Sequence, residues 1–303
     1  MNAIKIGVIG GTGLGQLLGG SEGVLHEVTT PFGKPSGAIV ETQWEGLSVL
    51  LLQRHGAGHV LNPSRVPYRA NIFALKQLGC THLIASGACG SLRQEYKPRD
   101  LVIVDQLIDK TSRREGTFFE SGAVHVEFAE PFCAGLRKVL LESGNEMAKE
   151  GDFAVHDGGC YVCMEGPAFS TRAESLMHRL WGGDVIGMTA CPEAKLAREA
   201  EIPYALVALV TDYDCWKGKP SPKEGEAASP EALLNEIIAN MQAASANAMG
   251  VIRGTLAKIA ADPGGLGPAP AAEALKLAIW SDKASIPAYE IEKLLPLWGR
   301  YFR

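Results

Sequence analysis

The sequence predicts an α/β fold with a largely parallel sheet. Three observations predict it. Apolar, strand-like runs alternate with segments of helical spacing along 303 residues. The composition, 46% hydrophobic and 21% charged, is that of a globular chain able to fill a core. Several of the strands end in a polar or glycine-rich turn: GGTG, RHG, SGACGS, EGPAFS, MTACPE and TDYD. In open α/β sheets ligands bind outside the carboxyl ends of the strands. Six such turns therefore predict one composite pocket.

Taken in order, IKIGVIGG reads as a first buried strand and LSVLLLQRHG as another. VPYRANIFALKQLGC has helical spacing and stops at Gly79, a normal C-terminal signal. THLIASGACGSL is a strand breaking into a glycine-rich turn, and DLVIVDQLID is a further strand. PFCAGLRKVLLESGNEMAKEG is a helix interrupted by Gly144; GGCYVCMEGP is a strand; SLMHRLWGG is part of a helix. DVIGMTAC is a strand, and PEAKLAREAEI a helix opened by Pro192, a favoured first position. PYALVALVTDYD is the last long strand.

Residues 217–229, KGKPSPKEGEAAS, predict a mobile loop by their polar, Gly- and Pro-containing composition. Ser229-Pro230-Glu231 then reads as an N-cap, a first-turn proline and a first-turn acid, and a helix runs on to residue 261. DPGGLGPAPAA, residues 262–272, reads as a linker. Residues 273–303 keep apolar helical spacing and predict a small helical appendage on a domain of residues 1–261.

The net charge of −5 and pI near 5.9 argue against a nucleic-acid surface or a polybasic membrane contact. No apolar stretch is long enough to cross a bilayer, and the N-terminus runs directly into a strand without a signal-peptide pattern. The expectation is a cytoplasmic protein. Its seven scattered cysteines fit reduced thiols. Cys160 and Cys163 form one CxxC, but no second pair or nearby histidines complete a zinc site, so buried thiols are favoured and no metal is expected.

GVIGGTGLGQ departs from the dinucleotide fingerprint: counting from Gly11 and Gly13, the third glycine position holds Gln16. It also lacks the Lys-Ser/Thr of a P-loop. A glycine-rich turn with the hydroxyl of Thr12 remains, an anion nest or a plain tight turn. Arg54, at the end of a buried strand, is a phosphate fork or a structural ion pair. With His55, the amide of Ala88 and Thr189 it would complete an oxyanion cradle. Phe169 offers a stacking face, or is a core residue beside a turn. At the end of LVALVTDYDC, Asp212 and Asp214 are costly carboxylates at a strand end, and in extended chain residues two apart share a face.

The motifs GGTGL, QRHG, NPSRVPYRANIFALK, ACGSL, EGPAFSTRAES, GMTACPEAKLARE and TDYDCW together resemble the trimeric purine nucleoside phosphorylases, most of all their branch that acts on 5′-methylthioadenosine. The resemblance runs from about Ile4 to Ile259 and leaves the residues after Asp262 outside. It implies a single-domain nucleoside phosphorylase fold, α/β with a mixed, partly barrel-like sheet flanked by helices. It implies phosphorolysis to adenine and 5-methylthioribose 1-phosphate, with inorganic phosphate as co-substrate and no other cofactor. The partners implied are a nucleoside and phosphate, in a homotrimer or a dimer of trimers. Carried onto matching positions, Thr12, Arg54, His55, Ala88 and Thr189 are the phosphate site; Met188 lies under the ribose; Phe169 and Ser170 belong to the base pocket. His125 matches a residue that reaches the ligand's 5′ end in the neighbouring subunit, and Pro230, Leu233 and Leu234 match the methylthio pocket. Gly87 departs from the pattern, since relatives often carry a hydroxyl there.

Within that reading Asp212 shares or donates the proton that stabilises the leaving adenine at N7, which needs a raised pKa, and Asp214 accepts from the 6-amino group. Two carboxylates should reject a 6-oxo base. The alternatives are a broader phosphorylase acting on adenosine or 6-oxopurine nucleosides, a hydrolase of the same nucleosides, and a non-catalytic nucleotide-sensing module.

Overall fold

The structure, a computed structural model, describes residues 4–18, 21–217 and 230–302. In chain order the elements are β1 (Lys5–Gly10), α1 (Leu14–Leu18), β2 (Val24–His26), β3 (Ile39–Trp44), β4 (Leu47–Gln53), α2 (Tyr68–Gln77), β5 (His82–Ser91), β6 (Leu101–Ile103), β7 (Gln106–Lys110), α3 (Ala134–Ala148), β8 (Val155–Asp157), β9 (Cys160–Met164), α4 (Arg172–Leu180), β10 (Val185–Gly187), α5 (Glu193–Glu199), β11 (Tyr204–Asp212), α6 (Pro230–Ala261), α7 (Ala288–Lys293) and α8 (Leu295–Trp298). The expected loop at 217–229 falls, beyond Lys217, outside the described residues.

All eleven strands join one mixed sheet. β5 is its branch point. Its first half pairs in parallel with β1, its end pairs antiparallel with β10, and its whole length runs parallel to β11. β11 is buried from Tyr204 to Val210 because both of its faces are covered. Alternate residues enter opposite cores: Ala205, Val207 and Leu209 on one side, Leu206, Ala208 and Val210 on the other. A continuous apolar run, rather than strict alternation, is what such a central strand requires. The first core is closed by α6, which presents Ala244, Ala248, Val251, Ile252, Leu256 and Ile259 at helical spacing.

The single strand expected over DLVIVDQLID is two. β6 pairs with β11 and β8, whereas β7 pairs with β9. The break sits at Val104-Asp105, where the Asp105 carboxylate accepts from the Gly159 amide and so faces a loop instead of continuing a ladder.

Residues 262–272 are no free linker. They form two 3₁₀ turns, Pro263–Leu266 and Pro270–Glu273, with Leu266 and Ala271 buried. Leu266 packs in the same core as α3 and α6. The residues beyond are also fully packed: Leu275, Ala278, Ile286, Leu294, Leu297 and Trp298 belong to the core that holds Leu206 and Val210. Trp298 has no exposed surface and lies 4.7 Å, ring to ring, from Phe119. Glu201 ties this segment down, accepting from the Leu275 amide, from Arg300 and from the Tyr301 hydroxyl. Composition marks the proline and glycine content but not the apolar side chains that the segment places inward.

Candidate active site

A cavity of about 650 Å³ opens at the carboxyl ends of β4, β5, β9, β10 and β11. Of the residues singled out from sequence, it brings together Thr12, His55, Ala88, Phe169, Ser170, Met188, Thr189, Asp212 and Asp214. It does not include Arg54, His125 or Leu234. Pro230 and Leu233 begin α6, but their side chains lie outside the described residues.

The phosphate end is built on the turn after β1. The Gly11 carbonyl accepts the Gly15 amide, which starts α1 behind Thr12. A Cβ at Gly11 would stand 2.5 Å from Nη1 of Arg54 and 2.7 Å from the Ser86 carbonyl oxygen, so only glycine fits this close approach. Arg54 itself is wholly buried. Its Nε and Nη2 donate to the two carboxylate oxygens of Glu193 at 2.7 and 2.8 Å, and its Nη1 donates to the Ser86 carbonyl at 2.7 Å. Burial works against its charge and the Glu193 carboxylate outweighs that, holding the guanidinium protonated. The expected phosphate fork is therefore a buried ion pair beneath the turn, and its fork is committed to a carboxylate already present in the protein. Sequence alone could not find Glu193, which opens α5 far along the chain.

His55 lines the cavity with Nδ1 2.7 Å from the Leu61 carbonyl oxygen, an acceptor, so Nδ1 carries the proton and Nε2 keeps its lone pair. Burial and the Arg54 charge push its pKa down to about 4, leaving the ring neutral at neutral pH. Its ring lies 4.2 Å from that of His59, which also lines the cavity. A Cβ on Gly87 would stand 3.3 Å from the Thr189 hydroxyl oxygen, so the missing side chain leaves that hydroxyl the space over this turn.

At the opposite end the β11–β5 register shifts between Val210 and Asp212. The strand stops at Asp212, and Asp214 sits in the left-handed region at φ 48°, which aspartate tolerates. The two carboxylates thus share the cavity because the chain turns, not because it stays extended. The turn is closed by the Asp214 amide, which donates to Asp212 Oδ1 at 2.7 Å, while the Thr211 hydroxyl donates to Oδ2 at 2.7 Å. Burial raises the Asp212 pKa, the two hydrogen bonds oppose it, and the Asp214 charge adds to the rise.

The wall between these ends carries Met188 and Met164, and α6 contributes Ile237 and Met241. Leu234, one turn earlier, is 56% exposed and points away. Phe169 stands at the rim and is 85% exposed. His125 is exposed and packs 4.7 Å from the Trp280 ring.

Sequence reasoning missed the scaffold behind the wall. Arg114 is nearly buried and donates to the carbonyls of Met188, Cys191 and Glu165 and to the Tyr68 hydroxyl. Glu165 accepts from the amides of Ser112 and Arg113 and from the Ser64 hydroxyl. Burial pushes its pKa up, but these donors and Arg114 bring it down to about 2. A charged residue inside EGPAFS was the available signal. Among the described residues no group of three or more His, Cys, Asp or Glu is placed to hold a metal ion, and no helix is long and apolar enough to cross a membrane. Cys160 and Cys163 face opposite sides of β9.

Known proteins share this fold and much of this sequence. A model of the phosphorylase superfamily matches residues 5–257. The S-methyl-5′-thioadenosine phosphorylase of Chloroflexus aurantiacus is 46% identical over 304 residues, covering 100% of each chain. That of Gloeobacter violaceus is 44% identical over 299 residues, covering 98% of this chain and 96% of its own. The C-terminal segment, beyond the superfamily match, therefore lies within the length shared with these relatives. Among solved structures, a methylthioadenosine phosphorylase from an antarctic soil metagenomic library superposes with a TM-score of 0.85 at 41% identity, covering 98% of this chain and 99% of its own. A variant of the adenosine/methylthioadenosine phosphorylase of Schistosoma mansoni, solved with methylthioadenosine, gives 0.79 at 35% identity, covering 91% and 99%.

Proposed function

The chain belongs to the phosphorylase superfamily, among its S-methyl-5′-thioadenosine phosphorylases, and we infer that its cleft carries out phosphorolysis of 5′-methylthioadenosine to adenine and 5-methylthioribose 1-phosphate. The observation that carries the chemistry is the pair Asp212–Asp214, held by a 2.7 Å bond at one end of the cavity that has Thr12, His55, Ala88 and Thr189 at the other.

Hydrogen phosphate binds among Thr12, the Ala88 backbone and Thr189, and its hydroxyl donates to the free Nε2 of neutral His55. Arg54 acts from below: paired with Glu193, it fixes the Ser86 carbonyl and the glycine turn, and its field falls on the site. A phosphate oxygen forms a bond to C1′ as the C1′–N9 bond breaks, and the electron pair of that bond moves into the purine. The transition state is oxocarbenium-like. The purine takes a proton at N7 from Asp212, whose raised pKa lets it hold one. Asp214 accepts from the 6-amino group and would repel a 6-oxo group, which disfavours the reading as a 6-oxopurine phosphorylase. Met188 lies under the ribose, Phe169 and Ser170 border the base, and Ile237 and Met241 offer an apolar end that suits a methylthio group better than a hydroxyl.

The reading needs inorganic phosphate as co-substrate and no other cofactor. A homotrimer, with a dimer of trimers as a higher assembly, belongs to the same proposal: the exposed Phe169 rim and the exposed His125 support completion of the site by a neighbouring chain. Seven free thiols suit a reducing, cytoplasmic setting.

The test is product identification from methylthioadenosine with and without phosphate. We expect adenine and a sugar 1-phosphate in equal amounts, and neither without phosphate. Free methylthioribose formed in the absence of phosphate would make the protein a hydrolase instead.

A further inference from the structure

A doubly charged anion at the phosphate end meets a cavity with no permanent cation. Among the described residues that line it there is neither Arg nor Lys; the side chains able to carry a full charge near neutral pH are His55, His59, Asp212 and Asp214. Arg54 lies outside the cavity, its charge matched by Glu193. His55 is neutral, with its Nδ1 proton given to the Leu61 carbonyl. His59 is left. Its ring centre lies 4.2 Å from that of His55, the two planes inclined at 31°. Both histidines also border a second cavity of about 30 Å³, walled by Gly10, Gly11 and Gly15, which puts His59 beside the turn that carries Thr12. The His59 backbone sits in the left-handed region at φ 57°, directly after Gly58 at φ 70°. Histidine is among the residues that visit this region, at a cost met most often at ligand sites. Here the conformation holds an exposed imidazole at the phosphate end of the cavity.

We propose that His59 is a further phosphate-binding residue and supplies the cation of the site: its imidazole takes up a proton from solvent as hydrogen phosphate binds, and donates to a phosphate oxygen. In the free protein burial lowers the His59 pKa, so the ring is mostly uncharged at neutral pH. A dianion in contact reverses that, because an opposite charge favours the protonated form. The charged groups around the histidine pair are Arg54 and Arg114, which both lower the His55 pKa, and the Asp212 and Asp214 carboxylates at the other end of the cavity. The Cys89 and Cys215 thiols also line it. Arg65 and Arg113 belong to a separate cavity that shares Pro167. Burial is the one cause of the shift at His59, whereas at His55 the Arg54 and Arg114 charges add to it. Of the two rings His59 therefore gains a proton more readily, and His55 stays free to accept from the phosphate hydroxyl. The inference rests on the reading of this end as the phosphate site.

The test is titration calorimetry of inorganic phosphate into the full chain at about pH 7.5, in two buffers of different ionisation enthalpy, for the wild type and His59→Asn. Asparagine tolerates the left-handed backbone and takes up no proton. His59 is exposed, so its replacement leaves the core untouched. We expect the wild type to take up at least about half a proton more per phosphate than the variant. In steady state the KM for phosphate should rise about tenfold in the variant, with less than about twofold change in the KM for methylthioadenosine. Equal proton uptake by the two proteins would place the proton on the anion instead of on His59 and overturn the proposal, as would an unchanged KM for phosphate. A wild-type protein that binds no phosphate would overturn the reading of this end as the phosphate site, and the inference with it.

Discussion

Arg54 and Glu193 stand 139 positions apart in sequence and form a two-pronged ion pair with neither side chain more than 1% exposed. The Tyr204 hydroxyl adds a third bond, to Glu193 Oε1 at 2.9 Å. Removing one partner of such a pair leaves an uncompensated charge, which costs about 3–5 kcal/mol. Arg54→Met and Glu193→Gln should each lower stability by that amount in urea unfolding. Arg54→Met/Glu193→Leu together should recover much of it. Since the pair also fixes the turn that holds Thr12, both single variants should raise the KM for phosphate. A single variant that lost under about 1 kcal/mol would show the pair to be dispensable.

Two buried titratable groups should give opposing slopes of stability with pH. His55 has its pKa depressed to about 4 from an ordinary 6.5, so the unfolded chain binds the extra proton and stability is lost as pH falls from 6.5 to 4. Glu199 has its pKa raised by burial to about 7 from 4.5, so the folded chain holds the proton longer and stability is lost as pH rises from 4.5 to 7. Each shift is worth about 3 kcal/mol, and between pH 4.5 and 6.5 they offset. His55→Asn should therefore expose a fall of stability with rising pH, and Glu199→Gln should expose a rise and make the protein more stable at pH 8. Unfolding curves at pH 5, 6.5 and 8 would reveal both slopes; parallel behaviour of the two variants would refute the assignment.

The C-terminal segment is predicted to be inseparable from the domain. Trp298→Ala opens a cavity in the core shared with β11 and should cost about 3–5 kcal/mol. Deletion after Asp262 removes six buried apolar side chains from that core and strips Glu201 of its three donors. It should yield an insoluble or noncooperatively melting chain. A truncated protein with the parent melting temperature and activity would contradict this.

Asp212→Asn keeps the shape and, on its one oxygen, the hydrogen bond from the Asp214 amide; its NH2 replaces the oxygen that accepts from Thr211, and it holds no transferable carboxyl proton. The kcat for methylthioadenosine should fall by about 10²–10³, with little change in the KM for phosphate. Full retention of activity would remove Asp212 from the leaving-group step.

The parts legible in the sequence are those with local causes. β11 shows as an unbroken apolar run because both of its faces are buried, and Pro192 marks the start of α5. The glycine turn after β1 and the TDYD end of β11 mark the two ends of the cavity, because each is a polar turn closing an apolar strand. What stays hidden is long-range. Nothing near Arg54 points to Glu193, and nothing near Met188 points to Arg114. Leu234 matches a family position, yet the helix turns Ile237 and Met241 into the cavity in its place. Extended chain would bring Asp212 and Asp214 to one face, whereas a register shift and a left-handed residue are what bring them together.

The most direct measurement is the rate of base release from methylthioadenosine beside 5′-methylthioinosine, at saturating phosphate and with phosphate withheld. The two nucleosides differ at the 6-position, which meets Asp214, and in the N1 proton that accompanies the 6-oxo group. We expect rapid, strictly phosphate-dependent release of adenine and release of hypoxanthine slower by about 10³ or more. Comparable rates on the two would mean that the carboxylate pair does not read the 6-position, and release without phosphate would mean that the Thr12–His55–Thr189 end does not hold the nucleophile.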